Sequence, residues 1–119
     1  MAAFASPAWI DNLRAAAATA SVHPDLRLTI EQRIIGDEPV AWHLAFADGS
    51  VAAAEGPADN PTITLTSNRE TAIAIESGML SSQRAFLDGD LRIGGDLHML
   101  IETRGALAEF AAILASAAT

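Results

Sequence analysis

The sequence predicts a single α/β (α+β) domain spanning residues 1–119, built on a five-stranded mixed, mainly antiparallel sheet with helices packed on one face. Three observations predict it. An alanine-rich helical segment opens the chain; three stretches of period-two alternation and a short strand led in by a hairpin signal follow; two short capped helices then precede a fifth strand and a closing helical region. At 119 residues the chain can bury one substantial core but not two independent ones.

Ser6 before Pro7 is a helix start, a hydroxyl cap followed by a residue whose φ is already fixed near the helical value, and Ala8 to Ala20 favours helix strongly. His23-Pro24 ends it. From Leu26 the pattern changes: Leu26, Leu28 and Ile30 fall on one face, Arg27, Thr29 and Glu31 on the other, as in a half-buried strand. After the turn Gly36-Asp37-Glu38-Pro39, a second strand sets Val40, Trp42, Leu44 and Phe46 against Ala41, His43, Ala45 and Ala47. Asp48-Gly49 is a hairpin signal, since both residues tolerate positive φ, and it leads into a third strand over Ser50 to Ala54. These three strands read as an antiparallel meander.

Gly56-Pro57 and Asp59-Asn60-Pro61 mark a loop before a fourth strand, Thr62 to Thr66, with Ile63 and Leu65 inward. Ser67 followed by Glu70 reads as a capping box for a helix that stops at Gly78. A second short helix starts at Ser81 or Ser82 and runs to Asp88-Gly89; Leu91 and Ile93 then form a fifth strand ending at Gly94-Gly95. Asp96 is placed to cap the closing helical region, in which Gly105 is expected to break or bend the helix. A strand-helix-helix-strand unit is normally a right-handed crossover between parallel strands, so the sheet is expected to be mixed.

Composition excludes several function classes. The chain has no cysteine, which removes disulfides, thiolate metal sites and cysteine nucleophiles. Fifteen acidic residues face seven basic ones, all arginine, for a net charge of −8. Such a field repels phosphate backbones and anionic headgroups, so nucleic acid is not an expected partner and membrane contact is expected to be at most transient. No apolar run approaches the roughly 18–20 residues of a membrane span, and the N-terminus lacks the positive charges that begin a secretory signal. A cytoplasmic location is expected.

The catalytic and metal-binding signals all have plainer readings. His23, His43 and His98 lack two further ligands at useful spacing, and His43 alternates onto the polar face of its strand. Asp88, Asp90 and Asp96 bracket glycine turns without the spacing of a calcium loop. Gly94-Gly95-Asp96 lacks the lysine and spaced glycines of a phosphate loop, and Ser81-Ser82 stands where a helix cap is wanted and not in a Gly-x-Ser-x-Gly elbow. No enzyme activity and no cofactor are expected.

The stretch from Asp59 to Leu97 resembles the sterol carrier protein type 2 family. The likeness runs through Pro61-Thr62-Ile63-Thr64-Leu65-Thr66, a helix ending at Gly78, Ser81-Ser82-Gln83-Arg84-Ala85-Phe86-Leu87, and Gly89-Asp90-Leu91-Arg92-Ile93-Gly94-Gly95-Asp96. Upstream, Trp42, Leu44 and Phe46 followed by Asp48-Gly49 resemble the family's second strand and hairpin, so the similarity covers roughly Leu26 to Ile101. It implies an apolar tunnel between sheet and helices that holds a fatty acid, a fatty acyl-CoA or a sterol. The absence of lysine, and an ending Ser116-Ala117-Ala118-Thr119 in place of a Ser-Lys-Leu tail, fit a cytoplasmic, bacterial-like member better than a peroxisomal one.

A lipid tail needs a concave apolar wall with few polar groups. The tunnel candidates on the second and fourth strands are Trp42, Leu44, Phe46, Ile63 and Leu65. Those of the crossover are Ile73, Met79 and Phe86, and Leu91, Ile93, Leu100 and Phe110 follow. Met79 and Phe86 are preferred, because the crossover must pack over the sheet where a tunnel forms. The expected function is non-catalytic binding and intracellular carriage of a lipid-like ligand. The alternative is a protein–protein interaction or dimerisation module of the same fold with no open cavity, serving a second copy or a partner enzyme.

Overall fold

The structure, a computed structural model, describes residues 3–102 and 104–117; the side chains of Leu97, Leu100, Ile101, Arg104 and Leu107 are outside that description. Helix α1 spans Pro7–Thr19, and the Ser6 hydroxyl accepts the Trp9 backbone N–H at 3.2 Å. Its apolar stripe, Trp9, Ile10, Leu13 and Ala17, is buried. The chain then enters β1 (Leu28–Ile35), β2 (Val40–Ala47) and β3 (Ser50–Glu55), an antiparallel meander. Asp48 and Gly49 turn the second hairpin with φ of 54° and 80°.

Strand β4 (Ile63–Asn68), helices α2 (Arg69–Glu76) and α3 (Ser82–Leu87) and strand β5 (Leu91–Gly95) follow, and the sheet order is β3-β2-β1-β4-β5. The sheet is mixed, but the parallel pair is not the one expected. β4 and β5 are neighbours and antiparallel, with Ser67 opposite Leu91, whereas the parallel pair is β1 and β4, with Gln32 opposite Leu65. The reason is geometric. Two helices in succession return the chain to the end of the sheet where β4 finishes, and β5 sets off from there in the opposite direction. The parallel step is made earlier, by the segment 56–62, which carries the chain from the β3 edge across the sheet to the far side of β1.

The cap of α2 also differs from expectation. Asn68, not Ser67, accepts the Thr71 N–H, at 2.8 Å, because Ser67 is still a strand residue, buried on the helix-covered face of β4. The Ser81 hydroxyl caps α3 and Asp96 accepts the Met99 N–H at 3.0 Å. The closing region is two helices, α4 (Leu97–Glu102) and α5 (Arg104–Ala117), and Gly105 lies inside the first turn of α5.

All the helices with described packing lie on one face. α1 packs on β3 and on α5, α2 on β4, β1 and α5, and α3 on β5. Beneath α1 the rings of Phe4, Trp9 and Trp42 meet with centroids 4.9 to 5.6 Å apart, a tight aromatic joint between helix and sheet. The opposite face is partly roofed by the segment 56–62. Glu31, expected on a polar strand face, is on that face yet fully buried. The Ala58 N–H donates to its carboxylate at 2.7 Å and Arg33 pairs with it, while the Gly56 carbonyl lies 2.8 Å from His43 Nδ1. Alternation reports a face; it does not report a loop that crosses it. Among the described residues no helix is long and apolar enough to cross a membrane.

Candidate functional site

A cavity of about 460 Å³ lies between the β1–β4–β5 half of the sheet and helices α2, α3 and α5. It is within the size range of small-molecule sites, roughly 300–1,000 Å³. Its position follows from what the helices bring. Over the β3–β2–β1 half, α1 contributes Trp9, Ile10 and Leu13, which fill the space down to the sheet. Over the other half the cover is two helices of eight and six residues, each with one buried residue, Ala72 and Ala85. Side chains that small do not reach the sheet. The remaining volume is the cavity.

Its floor is the sheet: Leu65 and Ser67 from β4, Leu91 and Ile93 from β5, and Gln32 from β1. Phe110 and Leu114 of α5 form one wall, Ile75 of α2 and Phe86 of α3 another, and Phe4, from the segment before α1, closes an end. Phe4 is held there. Its carbonyl accepts from the Arg69 guanidinium at 3.4 Å, and the same guanidinium donates to the Glu38 carbonyl at 3.1 Å, so the first residue of α2 clamps the N-terminal segment and the β1–β2 turn. The rim is polar, with Glu76, Ser82 and Gln83.

The structure places the tunnel candidates in three groups. Leu65, Phe86, Leu91, Ile93 and Phe110 border the cavity. Trp42, Leu44, Phe46 and Ile63 share the same sheet face but are sealed in the core, all at most 2% exposed, because α1 and α5 pack over them. Ile73 and Met79 point to solvent, and Met79 lies in the link between α2 and α3, not on either helix; its backbone N–H caps Ala74 in the turn that ends α2. The side chain of Leu100 is outside the described residues.

Sequence reasoning passed over Phe4, Gln32, Ser67 and Leu114. For Gln32 the signal was available: it has the parity of Leu28, Ile30 and Ile34, so β1 alternation puts one amide on the apolar face. Phe4 carried no periodic signal, since it precedes the first element.

The histidines and aspartates weighed above stand apart from the cavity, whereas Ser82 is on its rim and Ser81 caps α3. His23 and His98 are exposed and lie beside Asp25 and Glu102, Asp88 pairs with Arg84 at 3.1 Å, and none of the three histidines borders the cavity. Among the described residues no group of three or more His, Cys, Asp or Glu is arranged to hold a metal ion.

Solved structures share this architecture. A crystal structure of sterol carrier protein 2 aligns with a TM-score of 0.75 at 16% identity, over 95% of this chain and 98% of that one. A conserved hypothetical protein of Thermus thermophilus aligns at 0.64 and 20%, covering 98% and 90%. The palmitated sterol carrier protein 2-like 2 of Aedes aegypti aligns at 0.60 and 19%, covering 90% and 91%. At these identities the likeness is one of fold. No curated protein matches the sequence. The model of the SCP-2 sterol transfer family matches residues 13–108, from α1 through the first turns of α5, and so takes in the whole sheet and both short helices over the cavity. By that match the chain belongs to the SCP-2 sterol transfer family.

Proposed function

We propose that this protein binds an apolar, lipid-like molecule (a fatty acid, fatty acyl-CoA or sterol) in the cavity between its sheet and helices α2, α3 and α5, and carries it without altering it. Family membership supports lipid binding or transfer as the general activity, and the family is in general one of non-enzymatic carriers. The observation that carries the finer reading is the cavity itself, about 460 Å³ with a predominantly apolar lining, set beside a continuous cluster of buried apolar residues. At roughly 25 cal/mol per Å² of apolar area removed from water, an acyl tail gains useful affinity there without a specific polar contact. The cytoplasm is the proposed compartment, and contact with membranes is proposed to be transient.

Native mass spectrometry of freshly purified protein, followed by titration with a fluorescent long-chain fatty acid, tests the reading. Co-purified lipid, and saturable binding at micromolar or better affinity that unlabelled lipid displaces, are expected. A clean ligand-free mass as a stable oligomer, with no binding of fatty acids, acyl-CoAs or sterols, refutes it in favour of an interaction module.

A further inference from the structure

The two ends of the cavity differ in chemistry. Helix α2 runs from Arg69, beside Phe4, to Glu76 on the polar rim, a span of eight residues or about 12 Å. At the rim Ser82 and Gln83 of α3 are exposed, so a polar headgroup keeps its water there. The apolar tail of a bound molecule then points at Phe4.

Phe4 belongs to no helix or strand, and it reaches the cavity through a tight turn in which the Ser6 N–H donates to the Ala3 carbonyl at 3.0 Å. The turn sets Ala5 at φ 64°, a left-handed conformation at a turn position that favours glycine, and Ala5 is buried. Strain of this kind persists only where the surroundings hold it in place. Two sets of contacts do so. The Phe4 ring meets Trp9 and Trp42 edge-on, with centroids 4.9 and 5.6 Å away, and the Arg69 guanidinium donates to the Phe4 carbonyl at 3.4 Å and to the Glu38 carbonyl at 3.1 Å. The bond to Glu38 is exposed, so water replaces it at little cost when it breaks, and the Phe4 ring itself is only partly buried. Moving the ring aside loses its contacts with the tryptophans, and the relief of strain at Ala5 offsets part of that loss. The wall at this end is therefore the one that gives way most readily under a long tail.

Building on the carrier reading above, we propose that Phe4 is a displaceable stop that sets the length of tail the cavity accepts. Tails that end short of the ring bind with it in place. Longer tails bury their last methylenes only by pushing the ring out and breaking the Arg69 clamp. Phe4 is the specificity-determining residue and Arg69 positions it; no chemistry on the ligand is implied.

The test is a length series of saturated fatty acids, octanoate to octadecanoate, titrated into the full chain. Affinity is read by displacement of a fluorescent apolar probe, and the position of Phe4 by intrinsic tryptophan emission, since Trp9 and Trp42, the only tryptophans, are the rings it packs against. Wild-type affinity is expected to rise roughly fourfold per methylene and then to level off at one length, with the emission changing only from that length onward. In Phe4→Ala the rise is expected to continue, giving roughly tenfold tighter binding than wild type for a tail two methylenes beyond the break. Arg69→Met keeps the ring and removes only the clamp; it is expected to gain affinity for long tails and to leave short ones unchanged, and it answers the question alone if Phe4→Ala fails to fold. A break at the wild-type length in every variant that folds, an emission change equal for all tails, or a wild-type affinity that climbs without a break overturns this inference and leaves the carrier reading standing. Failure of the probe and of every fatty acid to bind overturns the carrier reading and this inference together.

Discussion

Truncating Phe86 separates a cavity wall from a core anchor. Phe-to-Ala in a closed core costs about 3–5 kcal/mol, because burial is lost and an empty space is left behind. Phe86 is 50% exposed and borders a cavity that already exists, so its truncation enlarges open space and does not create a sealed void. Half of the transfer value for a buried Phe leaves about 1 kcal/mol, and the better helix propensity of alanine in α3 returns roughly 0.5 of it. The matched control is Leu44→Ala. Leu44 is fully buried on β2 between Ile30 and Ala53, and the change is expected to cost about 2–5 kcal/mol, a large part of the roughly 5–15 that such a domain has in total. Leu65 is a weaker control, since it borders the cavity too.

Urea unfolding followed by tryptophan fluorescence reads both changes, because Trp9 and Trp42, the only two tryptophans, are buried in the joint between α1 and the sheet. With an m value of about 1–3 kcal/mol/M, Phe86→Ala is expected to move the midpoint by about 0.5 M or less and Leu44→Ala by about 1 M or more. A length series of fatty acids is expected to shift toward longer chains in Phe86→Ala and to keep its profile in Leu44→Ala wherever that variant remains folded. A Phe86→Ala protein that loses about 3 kcal/mol or more, the closed-core cost, with an unchanged length profile returns Phe86 to the core and refutes this reasoning.

Two further expectations concern the far face and the surface charge. Glu31→Ala strips the Ala58 N–H of its buried acceptor and frees the segment 56–62, at a cost of about 1–3 kcal/mol, whereas Glu31→Gln keeps an acceptor and is expected to cost less; equal melts for both variants contradict the role assigned to this carboxylate. With a net charge of −8, lipid transfer to vesicles is expected not to accelerate when anionic lipid is added, and added salt is expected to help by screening repulsion over a Debye length of about 8–10 Å; a rate that rises with anionic lipid and falls with salt refutes this.

The fold was largely legible because its signals are local. Ser6-Pro7, Asp48-Gly49, Ser81 and Asp96 each fix an end or a turn through their own side chains or φ preferences, and each does so in the structure. Strand pairing was not legible to the same degree. Alternation on β4 and β5 says which residues share a face, but the direction of β5 depends on where a pair of helices delivers the chain, and neither helix carries a signal for that. Gly95 shows what the paired structure then demands: at φ 94° a Cβ would lie 2.2 Å from the Thr62 carbonyl oxygen, a close approach that exists only because β5 lies against β4. The site was legible in part for a related reason. Apolar residues on one sheet face are interchangeable by pattern, and only the packing above them decides whether Leu44 or Leu65 meets a void.

That packing divides the sheet into two unlike halves. The β3–β2–β1 half is sealed by a thirteen-residue helix with four buried residues and by three aromatic rings meeting edge-on or tilted. The β4–β5 side is covered by α2 and α3, which bury one alanine apiece and leave Ile73, Phe86 and Leu87 exposed, with Met79 exposed in the link between them. Local stability follows buried apolar contacts, so α2 and α3 are the elements that open at least cost while the aromatic joint holds the remainder folded. On the proposed carrier reading, a molecule entering the cavity would displace the weakest part of the cover and then supply contacts that the two alanines do not make. On that proposed reading the thin cover would serve as entrance and binding wall together, and filling its underside with larger side chains would enlarge the core and close the cavity.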